Sequence, residues 1–205
     1  MRELGRRDRV LRRIIRAHPD VHLKRRSDPF TALARAIVGQ QISVKAADAI
    51  WKRLVPHATT SVSRTSFPRL DPARVAALDD PTLREVGLSR SKASYVRDLA
   101  EHFVSGRLVP RTWRRLDDDT LIALLVDVKG IGRWTAEMFL IFHELRPDVF
   151  PLADLGLQRA LARHYNNGEA MTPSAMAELG AGWQPYRSVA TWYLWRSLDP
   201  VPVEY

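Results

Sequence analysis

Apolar residues recur at three- and four-residue intervals along almost the whole chain, a pattern that predicts helices and little else. Leu4, Leu11, Ile14 and Ile15 mark an amphipathic N-terminal helix ringed by Arg7, Arg9, Arg12, Arg13 and Arg16. Phe30, Leu33, Ala34, Ile37 and Val38 form the next apolar face, opened by Ser27-Asp28-Pro29 and closed at Gly39. From Ser43, Val44, Ala47, Trp51 and Leu54 continue the pattern to Pro56, and His57 to Ser66, rich in Ser and Thr, reads as a surface loop. Asp71-Pro72 and Asp80-Pro81 open short helices. Ser89 caps a longer one that carries Ala93, Val96, Leu99, Ala100 and Phe103 and ends near Gly106. Asp117 begins another, with Leu121, Leu124, Leu125 and Val128 at the i, i+3, i+4, i+7 positions. Trp134, Met138, Ile141 and Phe142 supply a further face, and Thr172-Pro173 and Gln184-Pro185 open the last two helices. No alternating strand pattern is visible. The expectation is an all-α chain of about nine or ten helices, divisible into two lobes.

Composition narrows the class. The 205 residues suit one or two domains, and 45% hydrophobic content describes a folded chain, not a basic disordered tail. Thirty-two basic against 23 acidic residues give +9, nearly all of it arginine, since lysine occurs only at 24, 45, 52, 92 and 129. A basic excess on a folded domain makes nucleic acid the leading partner, with a generic basic surface as the alternative. The same choice applies locally to the N-terminal arginines, which are either a solvated helix face or a phosphate contact.

Absent features exclude other classes. No apolar run approaches a bilayer's length, so no membrane association is expected. The N-terminus lacks a secretory core and Glu3, Asp8 and Asp20 interrupt its arginines, so the expected location is intracellular. Zero cysteines exclude disulfides, thiol catalysis and an iron–sulfur cluster. None of the six histidines has a metal-ligand or triad-like setting.

The most informative stretch runs Val128-Lys129-Gly130-Ile131-Gly132-Arg133-Trp134-Thr135-Ala136 and joins two amphipathic helices through a tight turn. Its glycines permit positive φ and remove the Cβ atoms that would keep another backbone away. The second helix then starts with unpaired N–H groups and the positive end of its dipole, which together attract phosphate. An ordinary αα-turn with glycine as a C-cap is the competing reading.

This nine-residue stretch resembles the helix-hairpin-helix signature of the DNA glycosylase superfamily. The resemblance implies a helix-hairpin-helix glycosylase fold, with two helical lobes and an active-site cleft between them. It also implies a grip on one DNA phosphate by Lys129, Gly130, Ile131, Gly132, Arg133 and Thr135. A monovalent cation, Na+ or K+, would sit on the carbonyls of Val126, Val128 and Ile131; no organic cofactor is implied.

Twenty-two residues beyond Gly132 lies Asp154, at the position of the superfamily's catalytic aspartate. Taken alone, Asp154 is also a good N-cap for a helix over Leu155 to Leu161, and the two roles are compatible. One ionised carboxylate suits the chemistry, because breaking an N-glycosidic bond develops positive charge on the sugar. Members that also cut the strand carry a Schiff-base lysine two positions after the hairpin's last glycine. Here that position is Trp134, which implies a monofunctional hydrolase that leaves an abasic site.

Gly132-Arg133-Trp134-Thr135-Ala136 is similar to the 3-methyladenine DNA glycosylase II branch. So are Ala36-Ile37-Val38-Gly39-Gln40-Gln41-Ile42-Ser43, Gly87-Leu88-Ser89-Arg90-Ser91-Lys92-Ala93, Met171-Thr172-Pro173 and Trp183-Gln184-Pro185-Tyr186-Arg187-Ser188. The likeness covers residues 27–198, which divides the chain into an N-terminal basic helix at 1–26 and a glycosylase domain at 27–205. The best-known bacterial member has an additional N-terminal sheet domain, so a minimal glycosylase is expected, with the arginines compensating for lost DNA contacts.

The resemblance also places a DNA wedge at Gln41, with Gln40 beside it, to fill the gap left by an extruded base. An aromatic pocket is implied, because electron-rich rings favour a cationic alkylated base. Trp134 and Trp195 match lining positions, Tyr186 and Phe30 are weaker candidates, and Trp192 reads as core. The expected partner is double-stranded DNA containing damaged bases, bound by a monomer at the bacterial nucleoid or in a eukaryotic nucleus. Rival readings are a glycosylase for deaminated or neutral alkylated bases, a non-catalytic DNA-structure module, and a basic helical interaction protein. The module has no need of a carboxylate at Asp154, and the interaction protein predicts no ordered set of motifs.

Overall fold

The structure, a computed structural model, describes residues 1–19, 27–59 and 68–198. Among these residues there are α-helices and one 3₁₀ helix, with no strand. In chain order the helices are α1 (Arg2–Arg7), α2 (Arg9–Ala17), α3 (Pro29–Gly39), α4 (Val44–Ala58), α5 (Pro72–Ala77) and α6 (Asp80–Glu85). They continue as α7 (Arg90–Val104), the 3₁₀ helix Pro110–Arg115, α8 (Asp118–Val126), α9 (Arg133–Phe142), α10 (Leu155–Tyr165), α11 (Pro173–Ala181) and α12 (Arg187–Leu198). The described residues form twelve α-helices against the nine or ten expected, and the N-terminal run expected as one helix is two.

Contacts divide the chain into two units, one of residues 25–139 and one combining residues 1–24 with 140–205. The first is built on α7, against which α3, α5 and α6 pack. Asp28 accepts from the Thr31 amide at 3.0 Å and Pro29 occupies the first turn, so α3 starts where the sequence predicts. An edge-to-face series of Phe30, Phe103, Trp113 and Phe139 runs through this core. Helix α4 continues past Pro56 instead of stopping there. Ala58 in its last turn is fully buried, and its carbonyl accepts from Asp71 N at 2.8 Å, which holds the extra residues helical. The expected loop therefore begins two residues late, and residues 60–66 of it lie outside the described residues.

The second unit corrects the expected boundary after residue 26. Leu4, Leu11 and Ile14 are part of the same core as Leu157, Leu161, Trp183, Tyr193 and Leu194. The predicted single N-terminal helix is two, divided at Asp8. The Asp8 carboxylate caps α2 through Val10 N and Leu11 N while its other oxygen accepts from Tyr165 Oη and Trp183 Nε1, each at 2.9 Å. Arg9, Arg12, Arg13 and Arg16 remain on the outer face of α2, around a shallow depression of about 340 Å³.

The last helix also starts for a reason invisible locally. Gln184-Pro185 does not open it. Asp148 accepts from Arg187 N at 3.1 Å and from the Arg187 guanidinium at 2.9 and 2.8 Å, so a carboxylate 39 residues upstream sets the first turn of α12. Ser188 adds two ties, its amide to the Pro147 carbonyl and its hydroxyl to Val149 N.

Candidate active site

The turn between α8 and α9 is held from behind by α7. The Tyr95 ring lies where a Cβ on Gly130 would project, and Gly130 has φ +83°, so only glycine fits this position. Asp98 accepts from Lys129 N at 2.9 Å, and His102 Nε2 meets Asp127 Oδ2 at 3.1 Å. Gly132 differs from the sequence-based expectation. Its φ is not positive, and a Cβ there would meet nothing within 4 Å. Its lack of a side chain leaves open space in front of the amides of Gly132, Arg133 and Thr135, which find no backbone acceptor among the described residues. Such a terminus is suited to an anion.

The charges around this turn are matched internally. Arg133 donates to Glu137 at 3.0 Å and to Asp119 at 3.1 Å, and hydrogen bonding to Asp119, then to Glu137, raises its pKa. Lys129 Nζ stands 3.5 Å from Asp98. The positive potential at the turn is thus chiefly that of its backbone dipoles.

The carbonyls named for a monovalent cation pass a simple test of chemistry. Val126 O and Ile131 O receive no backbone N–H among the described residues, and Val128 O receives only Ile131 N, at 3.1 Å. Neutral carbonyl oxygens with spare lone pairs suit a hard monovalent ion. No group of three or more His, Cys, Asp or Glu side chains able to hold a metal occurs among the described residues.

The two glutamines separate cleanly. Gln40 Nε2 donates to the Gly130 carbonyl at 2.8 Å, so this side chain is committed to the hairpin. Gln41 is exposed and has φ +57°, a left-handed conformation uncommon for a residue with a Cβ. Of the two candidates, Gln41 alone projects from the turn.

Asp154 is 9% exposed and caps α10. Its Oδ1 accepts from Leu157 N at 2.6 Å and from the indole of Trp195 at 2.7 Å. The loop before it is fixed by Asp154 N to Pro151 O and by Gln158 Nε2 to Leu152 O. Gly156 makes the arrangement possible: a Cβ there would stand 3.1 to 3.2 Å from Asp154 Oδ1 and the Trp195 ring. Behind Trp195, Phe142 stacks at 5.7 Å and 15°, and Trp192 meets Phe142 edge-on. The cap and a fixed, largely buried carboxylate therefore coexist in one residue.

The other predicted lining residues fare unequally. Trp134, in the first turn of α9, is 40% exposed and so is not a core residue, and Tyr186 is 36% exposed. Phe30 is a correction: it is 2% exposed and packs edge-on against Phe103, so its ring serves the core of its own unit. Sequence reading missed Tyr95, Asp98, Gly156 and the Asp148–Arg187 pair. Only Gly156 left a signal, as a glycine inside a helix where it costs about 1 kcal/mol against alanine.

The family model for the HhH-GPD superfamily base excision DNA repair protein matches residues 34–185. A Bacillus subtilis protein is 32% identical over 83% of this chain, and the chain spans 59% of that protein's length. The crystal structure of a DNA-3-methyladenine glycosidase from Bacillus halodurans superimposes with a TM-score of 0.85 at 35% identity, covering 96% of this chain and 87% of that one. A 3-methyladenine DNA glycosylase of Schizosaccharomyces pombe, in complex with abasic DNA, gives 0.78 at 29% identity, over 99% and 97%. Among the described residues no helix is long and apolar enough to cross a membrane.

Proposed function

Because the chain belongs to the HhH-GPD superfamily of base excision DNA repair proteins, we propose that it is a monofunctional DNA glycosylase. It flips alkylated purines such as 3-methyladenine out of duplex DNA and hydrolyses their N-glycosidic bond, leaving an abasic site. The observation that carries this reading is the Asp154 carboxylate, nearly buried and oriented by the Leu157 amide and the Trp195 indole.

A purine alkylated on a ring nitrogen carries positive charge and leaves readily, so the reaction needs no strong general acid. As the bond to C1′ lengthens, positive charge passes to the deoxyribose. A fixed carboxylate stabilises that charge without reorganising, and it also orients and deprotonates the incoming water. The donors on Oδ1 hold the Asp154 carboxylate in place at the α10 N-terminus. Gln41 fills the vacated stack, and the amides after Gly130 hold one phosphate. A Na+ or K+ ion on the carbonyls of Val126, Val128 and Ile131 would add positive potential beside that phosphate.

Trp134 stands at the position where a strand-cutting relative would carry its lysine, so no Schiff base forms with the sugar. The names of the Bacillus halodurans and Schizosaccharomyces pombe neighbours support alkylated purines as the substrate class.

Incubation with methylated duplex DNA is expected to release 3-methyladenine and leave sites that break only on heating with alkali. Borohydride is expected to trap no covalent complex. Asp154→Asn should lower the release rate at least about 100-fold while lesion-duplex binding persists. No base release by the unmodified chain would refute the enzymatic reading, and a fully active Asp154→Asn would reduce Asp154 to a cap.

A further inference from the structure

We propose that Lys92 is a positioning residue for the wedge, and that one stripe of α7 holds the wedge turn and the hairpin in a fixed mutual register. The inference rests on the glycosylase reading and adds to it a device for base extrusion.

Lys92, Tyr95, Asp98 and His102 are spaced three, three and four residues apart and so share one face of α7. The last three hold the hairpin, through Gly130, the Lys129 amide and Asp127 respectively. The first holds the end of α3: Lys92 Nζ donates to Val38 O at 2.7 Å and Gln40 O at 2.6 Å. A cation on terminal helix carbonyls is favourable in itself. Gln40 completes the connection from the other side, its amide donating to the Gly130 carbonyl.

What the ammonium holds is an exposed tip. Residues 41–46 are all exposed, so the clamp brings no apolar surface of theirs into the core. Gln41 follows the clamped carbonyl directly, in its left-handed conformation. Such a conformation persists where the surroundings over-determine it, and the two Lys92 bonds with the Gln40–Gly130 bond do so. Burial also lowers the Lys92 pKa, as expected of an ammonium drawn from water onto carbonyl oxygens. A wedge preset in this way need not be ordered when the base is extruded.

The test compares the full chain with its Lys92→Met and Lys92→Arg variants in single-turnover excision of 7-methylguanine from two duplexes. In one the lesion faces cytosine; in the other it faces an abasic analogue, so no partner base has to be met by the wedge. Loss of a charge-assisted clamp is expected to slow Lys92→Met about tenfold on the first duplex. The second duplex should change by less than about twofold, and Lys92→Arg should recover most of the rate. Equal slowing on both duplexes, with a lowered Tm, marks a purely structural role and overturns the proposal, as does no slowing on either.

A second readout keeps the two readings apart. With 2-aminopurine opposite an abasic analogue, binding of the unmodified chain should change the fluorescence through wedge contact with the orphan base, and Lys92→Met should lose that change while still binding. If the unmodified chain releases no base, the glycosylase reading fails and the fluorescence still decides the clamp. Identical fluorescence in both proteins refutes it.

Discussion

Gly130 and Gly132 stand two residues apart in one turn, yet alanine at each should fail in opposite ways. At Gly130 the backbone has φ +83°, where a Cβ costs about 1–2 kcal/mol. The new methyl would also enter the space of the Tyr95 ring, and overpacking of that kind costs about 1–3 kcal/mol more. Gly130→Ala should therefore destabilise the chain by about 2–5 kcal/mol. At Gly132 nothing lies within 4 Å of the added Cβ, and φ is not positive. Lower unfolded-state entropy contributes about 0.4–1 kcal/mol of stability there, which offsets a similar loss from replacing glycine by alanine at the start of α9. Gly132→Ala should thus stay within about 0.5 kcal/mol of the parent. Its methyl instead occupies the space a phosphate would use, and losing one or two charge-assisted hydrogen bonds weakens binding about 10- to 100-fold. Urea unfolding and fluorescence anisotropy on a duplex with an abasic analogue read the two effects separately. Adding Tyr95→Ala to Gly130→Ala should recover the overpacking part but not the backbone part, a non-additivity visible in a double-mutant cycle. If Gly132→Ala unfolds as readily as Gly130→Ala, or binds DNA as tightly as the parent, the division of labour is wrong.

Other consequences are as direct. Asp8→Ala removes the α2 cap and leaves the Tyr165 hydroxyl and the buried Trp183 indole without an acceptor, a loss of about 3–5 kcal/mol in urea unfolding; Asp8→Asn, which still caps, should lose less. Burial, then the charges of Arg163 and Arg13, lower the His164 pKa below 6.5, so the unfolded chain takes up its proton first as pH falls. Stability is then lost from about pH 6.5 downward to the folded pKa, and His164→Gln should flatten that part of a stability–pH curve; parallel curves would count against it. Arg9→Gln, on the arginine face of α2, should lower the salt slope of DNA binding by about 0.9, whereas Arg133→Gln, whose charge is already met by Glu137 and Asp119, should change it little.

Much of this was legible where a signal is local. Asp28, Ser43, Asp71, Ser89, Asp117 and Thr172 cap helices because a short polar side chain reaches an amide two or three residues on, and the sequence around each announces it. The hairpin and Asp154 were legible for the same reason, each being a compact run of residue types. The first turn of α12 was not, because its cap is Asp148, 39 residues away. Asp8 read as an interruption in a basic helix and is instead a four-donor junction that joins residues more than 150 positions apart. Phe30 was misjudged since an aromatic at helical spacing fits a pocket or a core equally well, and only the ring of Phe103 beside it decides.

The +9 formal charge takes on a different meaning once its partners are known. At the hairpin, Arg133 is paired with two carboxylates and Lys129 stands near Asp98, so the side chains there carry little uncompensated charge to the DNA. Arg35, Arg97 and Arg187 are likewise matched, by Asp48, Asp80 and Asp148. Arg9, Arg13 and Arg16 on α2 show no carboxylate partner among the described residues, and the segment that carries them is anchored by Leu11 and Ile14. Long-range attraction falls as salt rises, whereas a backbone nest fixes a phosphate by direction and distance and contributes little to the salt slope. Under the proposed function, search and grip fall to different chemistry, arginine side chains for the first and peptide dipoles for the second. That separation lets the hairpin be locally neutral without weakening its hold.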